Sequence, residues 1–260
     1  MNYKYILFEI KAGIASIILN RTERLNALTV PMVEEILSAL DQCRDDSSVR
    51  VVVISGAGRA FCAGADVEVD KDKDPSEITG EIIRVLNKTV LKIRTIEKPV
   101  IASTRGFTSG AAVSIVLACD LAISSENCKF NLAFIKIGLT PDAGASYFLP
   151  QLIGLKKTSM LFFTGDMISA KQAENFGFVN KLVPDEKLEE ETNELASRMA
   201  AGPTLAIGRT KKLMNDSYNN SLEQHLESEF ETQMLSSRTQ DKIEGIQAFM
   251  EKRPPKFQGK

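Results

Sequence analysis

Short runs of apolar, β-branched residues alternate with amphipathic stretches through the first 190 residues. Residues 49–55 read Val-Arg-Val-Val-Val-Ile-Ser, which is too continuously apolar for a strand with one exposed face. Residues 99–103 and 121–125 have the same character, and stretches of helical periodicity lie between these runs. This alternation predicts stacked β-α units with right-handed crossovers, whose parallel strands are buried on both faces.

Turn and capping residues mark where these elements begin. Residues 5–20 are typical of two strands that turn at Ala12-Gly13. Thr29 is a favourable N-cap for the first helix, and Pro31 lies in its opening turn. Helices are also predicted over 77–95 and 111–117, and the charged residues 66–76 predict a mobile, solvated loop.

The pattern becomes almost wholly helical after residue 149. Helices are predicted over residues 156–163, 170–176, 187–201, 203–217, 221–235 and 239–252. We therefore divide the chain into an α/β core, residues 1–190, and a C-terminal helical region, residues 191–260. The helical region is predicted to cover the core and to join subunits.

Composition and charge exclude several classes of protein. The 260 residues are 43% hydrophobic and 25% charged with a net charge of −2, so nothing favours nucleic acid or an anionic membrane. No apolar run approaches the roughly 20 residues of a membrane span. The four cysteines show no CxxC spacing, and the N-terminus shows no signal-peptide pattern. We expect a cytoplasmic protein without zinc or disulfides.

Two loops of small residues are candidates for binding a ligand through their backbone. Residues 61–66, Phe-Cys-Ala-Gly-Ala-Asp, follow one buried strand, and residues 106–112, Gly-Phe-Thr-Ser-Gly-Ala-Ala, follow the next and open a helix. Small side chains allow close approach, and free N–H groups at a helix start are good donors to an oxyanion. The alternative is a tight turn and a helix start whose small residues serve packing.

Asp142 lies in residues 138–144, Gly-Leu-Thr-Pro-Asp-Ala-Gly, between a strand-like run and a helix-like one. Local chemistry favours a helix cap, but a carboxylate at a helix start can also stand in a pocket. One carboxylate beside an oxyanion hole suits moving a proton more than adding water. His225 is the single histidine, which leaves no Ser-His-Asp triad and no His-rich metal site. We expect His225 to face solvent from a helix.

These segments, in this order, resemble the enoyl-CoA hydratase/isomerase (crotonase) superfamily over essentially the whole chain. The resemblance rests on both loops and on the motifs at residues 20–28, 119–120, 165–173, 177–179 and 244–254. It implies an α/β fold built as a spiral of β-β-α turns, with a C-terminal helical trimerisation region. It also implies an acyl-CoA thioester substrate, no separate cofactor, and assembly as a homotrimer or hexamer.

The same resemblance assigns roles to individual residues. Ala65 and Ala111 would supply the two N–H groups of an oxyanion hole. Arg24, Ala27, Ala63 and Ala65 would lie along the coenzyme A path. Phe249 and Lys252 would reach coenzyme A, in many members that of a neighbouring subunit.

The chain departs from the family's hydratases at the residues that handle protons. Ser114 and Phe134 stand where hydratases carry two glutamates, and Asp142 stands where they carry glycine. A phenylalanine side chain has no acidic group, and a serine hydroxyl is far too weak an acid to replace a glutamate. This pattern resembles the branch of 1,2-epoxyphenylacetyl-CoA and Δ3,Δ2-enoyl-CoA isomerases, in which one carboxylate shuttles a proton. An apolar pocket around Phe134 would raise the pKa of Asp142.

The sequence leaves two other functions open and disfavours a third. A hydratase with relocated acid–base chemistry stays open, and so does a non-catalytic protein that binds coenzyme A and serves assembly. A dehalogenase branch also carries aspartate at this place, but as a nucleophile helped by His and Trp. This chain has no Trp and His225 lies far along the chain, so we discount that branch.

Overall fold

The computed structural model describes residues 3–66 and 74–260. The strands in these ranges are β1 (Ile6–Lys11), β2 (Ile14–Leu19), β3 (Val51–Gly56), β4 (Val100–Thr104), β5 (Phe107–Ser109), β6 (Leu121–Ser125), β7 (Lys129–Asn131), β8 (Met167–Ser169) and β9 (Lys181–Val183). The helices are α1 (Val30–Asp45), α2 (Pro75–Thr95), α3 (Ala111–Ala118), α4 (Ala145–Ile153), α5 (Leu155–Thr164), α6 (Ala170–Phe176), α7 (Leu188–Ala200), α8 (Thr204–Asp216), α9 (Leu222–Ser236) and α10 (Gln240–Glu251).

The strands form two sheets, and the chain passes between them. The larger sheet has the order β1-β2-β3-β4-β6-β9, and the smaller has the order β5-β7-β8. In the larger sheet β1 is antiparallel to β2, and the pairs β2-β3, β3-β4, β4-β6 and β6-β9 are parallel. Strands β4 and β5, and then β6 and β7, go from the larger to the smaller sheet in succession, with α3 between the pairs. This is the predicted spiral of β-β-α turns.

Strands β3 and β4 are buried on both faces, as their apolar runs indicate. Val52, Ile54 and Val100 belong to the main core, which α1, α2 and α3 also fill. Val53 and Ile101 face the other way, into a second cluster completed by Ala196 and Ala200 of α7. The boundary placed after residue 190 thus falls inside α7, a helix that packs on the sheet.

Several local expectations need correction. The strand-like run before Gly138 is a 3₁₀ helix, Ala133–Ile137. Strands β5, β7, β8 and β9 were not predicted, because three residues are too few to show a period. Thr29 occupies the N-cap position of α1, but its hydroxyl makes no capping bond. Of the loop predicted over 66–76, residues 67–73 lie outside the described residues, and α2 already begins at Pro75.

Buried and half-buried polar contacts hold the helical region on the core. Lys211 of α8 is 3% exposed and donates to the Asp120 carboxylate at 2.7 Å and to the Ile93 carbonyl at 2.6 Å. Arg50, just before β3, donates to the Thr204 hydroxyl and to the Phe257 carbonyl. These contacts attach α8 and the C-terminal segment to the core. In the part of the chain that the structure describes, no helix combines the length and apolarity needed to cross a bilayer.

Candidate active site

The two small-residue loops lie side by side. Cys62 and Thr108 form an isolated parallel bridge, in which the Cys62 N–H donates to the Phe107 carbonyl at 3.1 Å. The Ser109 N–H donates back to the Cys62 carbonyl at 3.0 Å. At Gly64, with φ +99°, an added Cβ would lie 2.9 Å from the Ser109 carbonyl oxygen. Glycine is required there, because the two backbones approach too closely for a side chain.

The N–H of Ala65 points away from the strand that holds it. Leu28 donates to the Gly64 carbonyl and accepts from the Asp66 N–H, both at 2.8 Å. In parallel pairing, these two bonds use the neighbours of Ala65, so the N–H and C=O of Ala65 point to the other side. Among the described residues, the Ala65 N–H donates no backbone hydrogen bond, and Ala65 lines a cavity. The N–H is therefore available to a ligand.

Ala111 provides a second N–H. It is the first residue of α3, and within residues 3–66 and 74–260 its N–H donates no backbone hydrogen bond. Its N-cap is Gly110, at φ +53°, and the Gly110 carbonyl accepts from Val113 and Ser114. The first N–H groups of a helix have no partner within the helix, and the helix dipole makes this end positive. Every residue of α3 is buried, so the helix places this donor rigidly.

Both donors line one cavity of about 480 Å³. Most of its wall is apolar or small; the lining residues are Ala63, Gly64, Ala65, Asp66, Ile78, Thr79, Ile82, Ile83, Ser109, Gly110, Ala111, Ala133, Phe134, Lys136, Ile137, Leu139 and Asp142. Within residues 3–66 and 74–260, its carboxylates are Asp66 and Asp142. Asp66 is paired with Arg21 at 2.6 Å. Asp142 is therefore the better candidate for exchanging protons.

Asp142 is a half-buried carboxylate with an unused oxygen. Its Oδ1 is buried and has no hydrogen-bond partner among the described residues. Burial raises the pKa of Asp142 to about 6, because the apolar surroundings disfavour the charged form. The sequence predicted this direction from Phe134. A carboxylate with such a pKa can take up and release a proton near neutral pH.

The backbone around Asp142 forms a turn before α4, and Asp142 does not cap that helix. Ala143 and Gly144 both have positive φ, and Gly144, not Asp142, is the N-cap of α4. The helix-cap interpretation of Asp142 is therefore wrong. The Ser114 hydroxyl donates to the Asp142 carbonyl at 3.0 Å, which ties this turn to α3. From the sequence, Ser114 indicates only that a glutamate is absent there, and no local pattern predicts this contact.

Phe134 lines the cavity, at a position that the sequence resemblance matches to a hydratase glutamate. The side chain belongs to the 3₁₀ helix at 133–137 and is 7% exposed. Its ring lies beside Gly110, about 3.9 Å from the position that a Cβ would take there. It therefore packs against the start of α3, which carries the Ala111 N–H.

The residues assigned to coenzyme A are not all brought together. Ala63 lines the cavity. Ala27 is buried, whereas Arg24, three residues earlier in the chain, is exposed. Phe249 is 81% exposed, and neither it nor Lys252 lines the cavity. His225, expected to face solvent, is partly exposed: 18% of its side chain is accessible, and its Nε2 lies 3.7 Å from a Glu229 oxygen. It does not line the cavity either.

Comparison with known proteins finds one family, whose members include both isomerases and hydratases. A family model described as "Enoyl-CoA hydratase/isomerase" matches residues 9–260. The chain is 34% identical to a 1,2-epoxyphenylacetyl-CoA isomerase of Escherichia coli K12, over 99% of each chain. It is also 34% identical to a trans-2-decenoyl-[acyl-carrier-protein] isomerase of Streptococcus mutans, over 100% of each. The crystal structure of an enoyl-CoA hydratase from Bacillus anthracis matches with a TM-score of 0.94 at 31% identity, covering 99% of this chain and 100% of the other.

Proposed function

The chain belongs to the enoyl-CoA hydratase/isomerase family, and we propose that it is an isomerase, which moves the double bond of an acyl-CoA thioester between the 3,4 and 2,3 positions. One observation carries the proposal. Asp142 is a partly buried carboxylate with a raised pKa and an unused oxygen in an apolar cavity. The positions that resemble the two hydratase glutamates hold Ser114 and Phe134, and Ser114 is engaged with the Asp142 backbone.

The proposed reaction moves one proton and one double bond. The thioester oxygen accepts hydrogen bonds from the Ala65 and Ala111 N–H groups. Asp142, as carboxylate, takes a proton from C2, and the electrons of that C–H bond form an enolate whose charge rests on the thioester oxygen. The protonated Asp142 then returns the proton at C4, which leaves the double bond between C2 and C3. The N–H donors bind the enolate more strongly than the neutral thioester, which lowers the barrier.

The remaining contacts of the substrate follow the family resemblance. We propose that Arg24, Ala27 and Ala63 lie along the coenzyme A moiety, and that no separate cofactor is needed. The exposed positions of Phe249 and Lys252 suit contact with the coenzyme A bound by a neighbouring subunit. A homotrimer or hexamer and a cytoplasmic location stay predictions.

The pH dependence of the rate should report Asp142. The group must be unprotonated to take a proton, and burial raises its pKa to about 6. The kcat/KM for a 3-enoyl-CoA thioester should therefore rise as pH increases through about 6 and fall about tenfold for each pH unit below it. Initial rates across this range give the profile. An acidic limb near the ordinary pKa of an aspartate would contradict the assignment.

A panel of three thioesters tests the proposed function. The cavity offers Ile78, Ile82 and Phe134 as apolar walls for an alkyl or aryl group. We expect 3-hexenoyl-CoA to be consumed, and water addition to crotonyl-CoA to be at least about 10²-fold slower. Hydration needs one group to activate water and another to deliver a proton, and neither Ser114 nor Phe134 can serve as the second group. Consumption of 1,2-epoxyphenylacetyl-CoA would assign the chain to ring-opening isomerases. Fast hydration of crotonyl-CoA would support the hydratase alternative, and no turnover at all would support a binding protein.

A further inference from the structure

The Ala65 N–H lies in a loop that has no regular secondary structure of its own. Residues 61–66 are held by the single bridges to Leu28 and Thr108. An oxyanion-hole donor must keep its position within a fraction of an ångström, because a misplacement of about 1 Å can cost about 10²-fold in rate. The contacts that fix this loop are therefore relevant to catalysis.

One such contact is an ion pair at the residue that follows Ala65. The Arg21 Nη1 donates to the Asp66 Oδ2 at 2.6 Å and to the Ala27 carbonyl at 3.0 Å. The two charged side chains are only 16% and 17% exposed, so water and salt screen them less than an exposed pair. A short, charge-assisted bond of this kind is stronger than one between neutral groups. It restrains the peptide of Asp66, which adjoins that of Ala65.

Arg21 is itself anchored by a buried asparagine. The Arg21 N–H donates to the Asn26 Oδ1 at 2.9 Å. The Asn26 Nδ2 in turn donates to the carbonyls of Ala57, Ala60 and Phe61, all within 3.1 Å. Asn26 is fully buried at φ +57°, a conformation that asparagine tolerates better than most residues. The 61–66 loop is thus held at its start through Asn26 and at its end through Arg21.

We propose that Arg21 is a positioning residue: through Asp66 it holds the Ala65 N–H where the thioester oxygen binds. This inference rests on the proposed function, because it assigns the Ala65 N–H to the oxyanion hole. Arg21 does not touch the reacting atoms. Loss of Arg21 would shift the Ala65 N–H. The effect would therefore fall on the stabilisation of charge at the thioester oxygen rather than on binding of the rest of the substrate.

The ion pair between Arg21 and Asp66 is called the clamp below. Asp66→Asn tests it because this variant keeps the shape of the side chain and removes its charge. Arg21→Lys is the second variant. It keeps the charge, but its side chain is shorter and lacks the planar guanidinium whose Nη1 contacts both the Ala27 carbonyl and Asp66. Glu191→Gln is the matched control, since it removes a carboxylate from a short ion pair with Lys181 at 2.5 Å, outside the cavity. We expect kcat for 3-hexenoyl-CoA to fall about 10²-fold in both clamp variants, with KM within about threefold and the control unchanged.

A spectroscopic readout separates this inference from the proposed function. In 4-(dimethylamino)cinnamoyl-CoA, hydrogen bonds to the thioester oxygen draw electrons across the conjugated system and move its absorption to longer wavelength. The wild type and Glu191→Gln should give the full shift, and Asp66→Asn and Arg21→Lys a smaller one, even if no thioester is isomerised. Folded clamp variants with the full shift and unchanged kcat would overturn the proposal. A lower melting temperature with an unchanged shift would overturn it as well, and if Asp66→Asn does not fold, Arg21→Lys decides.

Discussion

Asp142→Asn is expected to lower kcat for isomerisation of 3-hexenoyl-CoA by about 10²–10⁴-fold, which is the usual contribution of a general acid–base residue to the rate. The substitution removes the proton-accepting group and leaves the shape of the side chain. Asp142 Oδ1 has no hydrogen-bond partner among the described residues, and burial opposes its charge. The neutral asparagine should therefore not destabilise the fold. Initial rates at saturating substrate, together with thermal unfolding, measure both effects.

Asp45→Asn is the matched control for this variant. Asp45 ends α1, is exposed and pairs with Arg44 next to it, so the same chemical change there should leave kcat unaltered. Turnover by Asp142→Asn at the wild-type rate would mean that another group moves the proton, and the single-carboxylate mechanism would have to be abandoned.

Ala111→Pro is expected to lower kcat by about 10²–10³-fold, the range found when one oxyanion-hole donor is removed. Proline has no N–H, yet the first position of a helix tolerates it well, because that N–H has no partner within the helix. The variant should therefore fold while losing the donor.

Ala111→Gly is the control for that change, because it keeps the N–H and loses only the methyl group. Its kcat should stay within a few-fold of the wild type. If circular dichroism shows a folded proline variant whose kcat equals that of the glycine variant, the Ala111 N–H does not stabilise the transition state.

The long elements of this fold could be predicted from the sequence, and the short ones could not. Strands β3 and β4 carry apolar runs that predict burial on both faces. In the structure their side chains pack into one core cluster on each side of the sheet. Strand β5 has three residues and shows no period, yet its Thr108 forms the bridge to Cys62 that joins the two loops. The bridge is a contact between residues far apart in the chain, so local patterns do not reveal it.

The candidate site was predicted in parts rather than as a whole. The sequence marked Asp142 and both loops, but propensity alone made Asp142 a helix cap. The positive φ values of Ala143 and Gly144 move the start of α4 beyond it and leave its carboxylate in the cavity. The support from Ser114 also depends on tertiary packing, because α3 brings its hydroxyl to the Asp142 carbonyl. Neither effect has a signal in the local sequence.

Incubation of 3-hexenoyl-CoA in water enriched in oxygen-18 tests the central claim most directly. The claim is that Asp142 moves a proton and that no water is added. We expect 2-hexenoyl-CoA, identified by the absorbance of its conjugated thioester, and mass spectrometry should show an unchanged mass without the label. Addition of water would give 3-hydroxyhexanoyl-CoA, which is heavier than the substrate by one labelled water. If such a labelled hydroxyacyl-CoA accumulated as fast as the substrate disappeared, the chain would be a hydratase, and a second acid would have to be found.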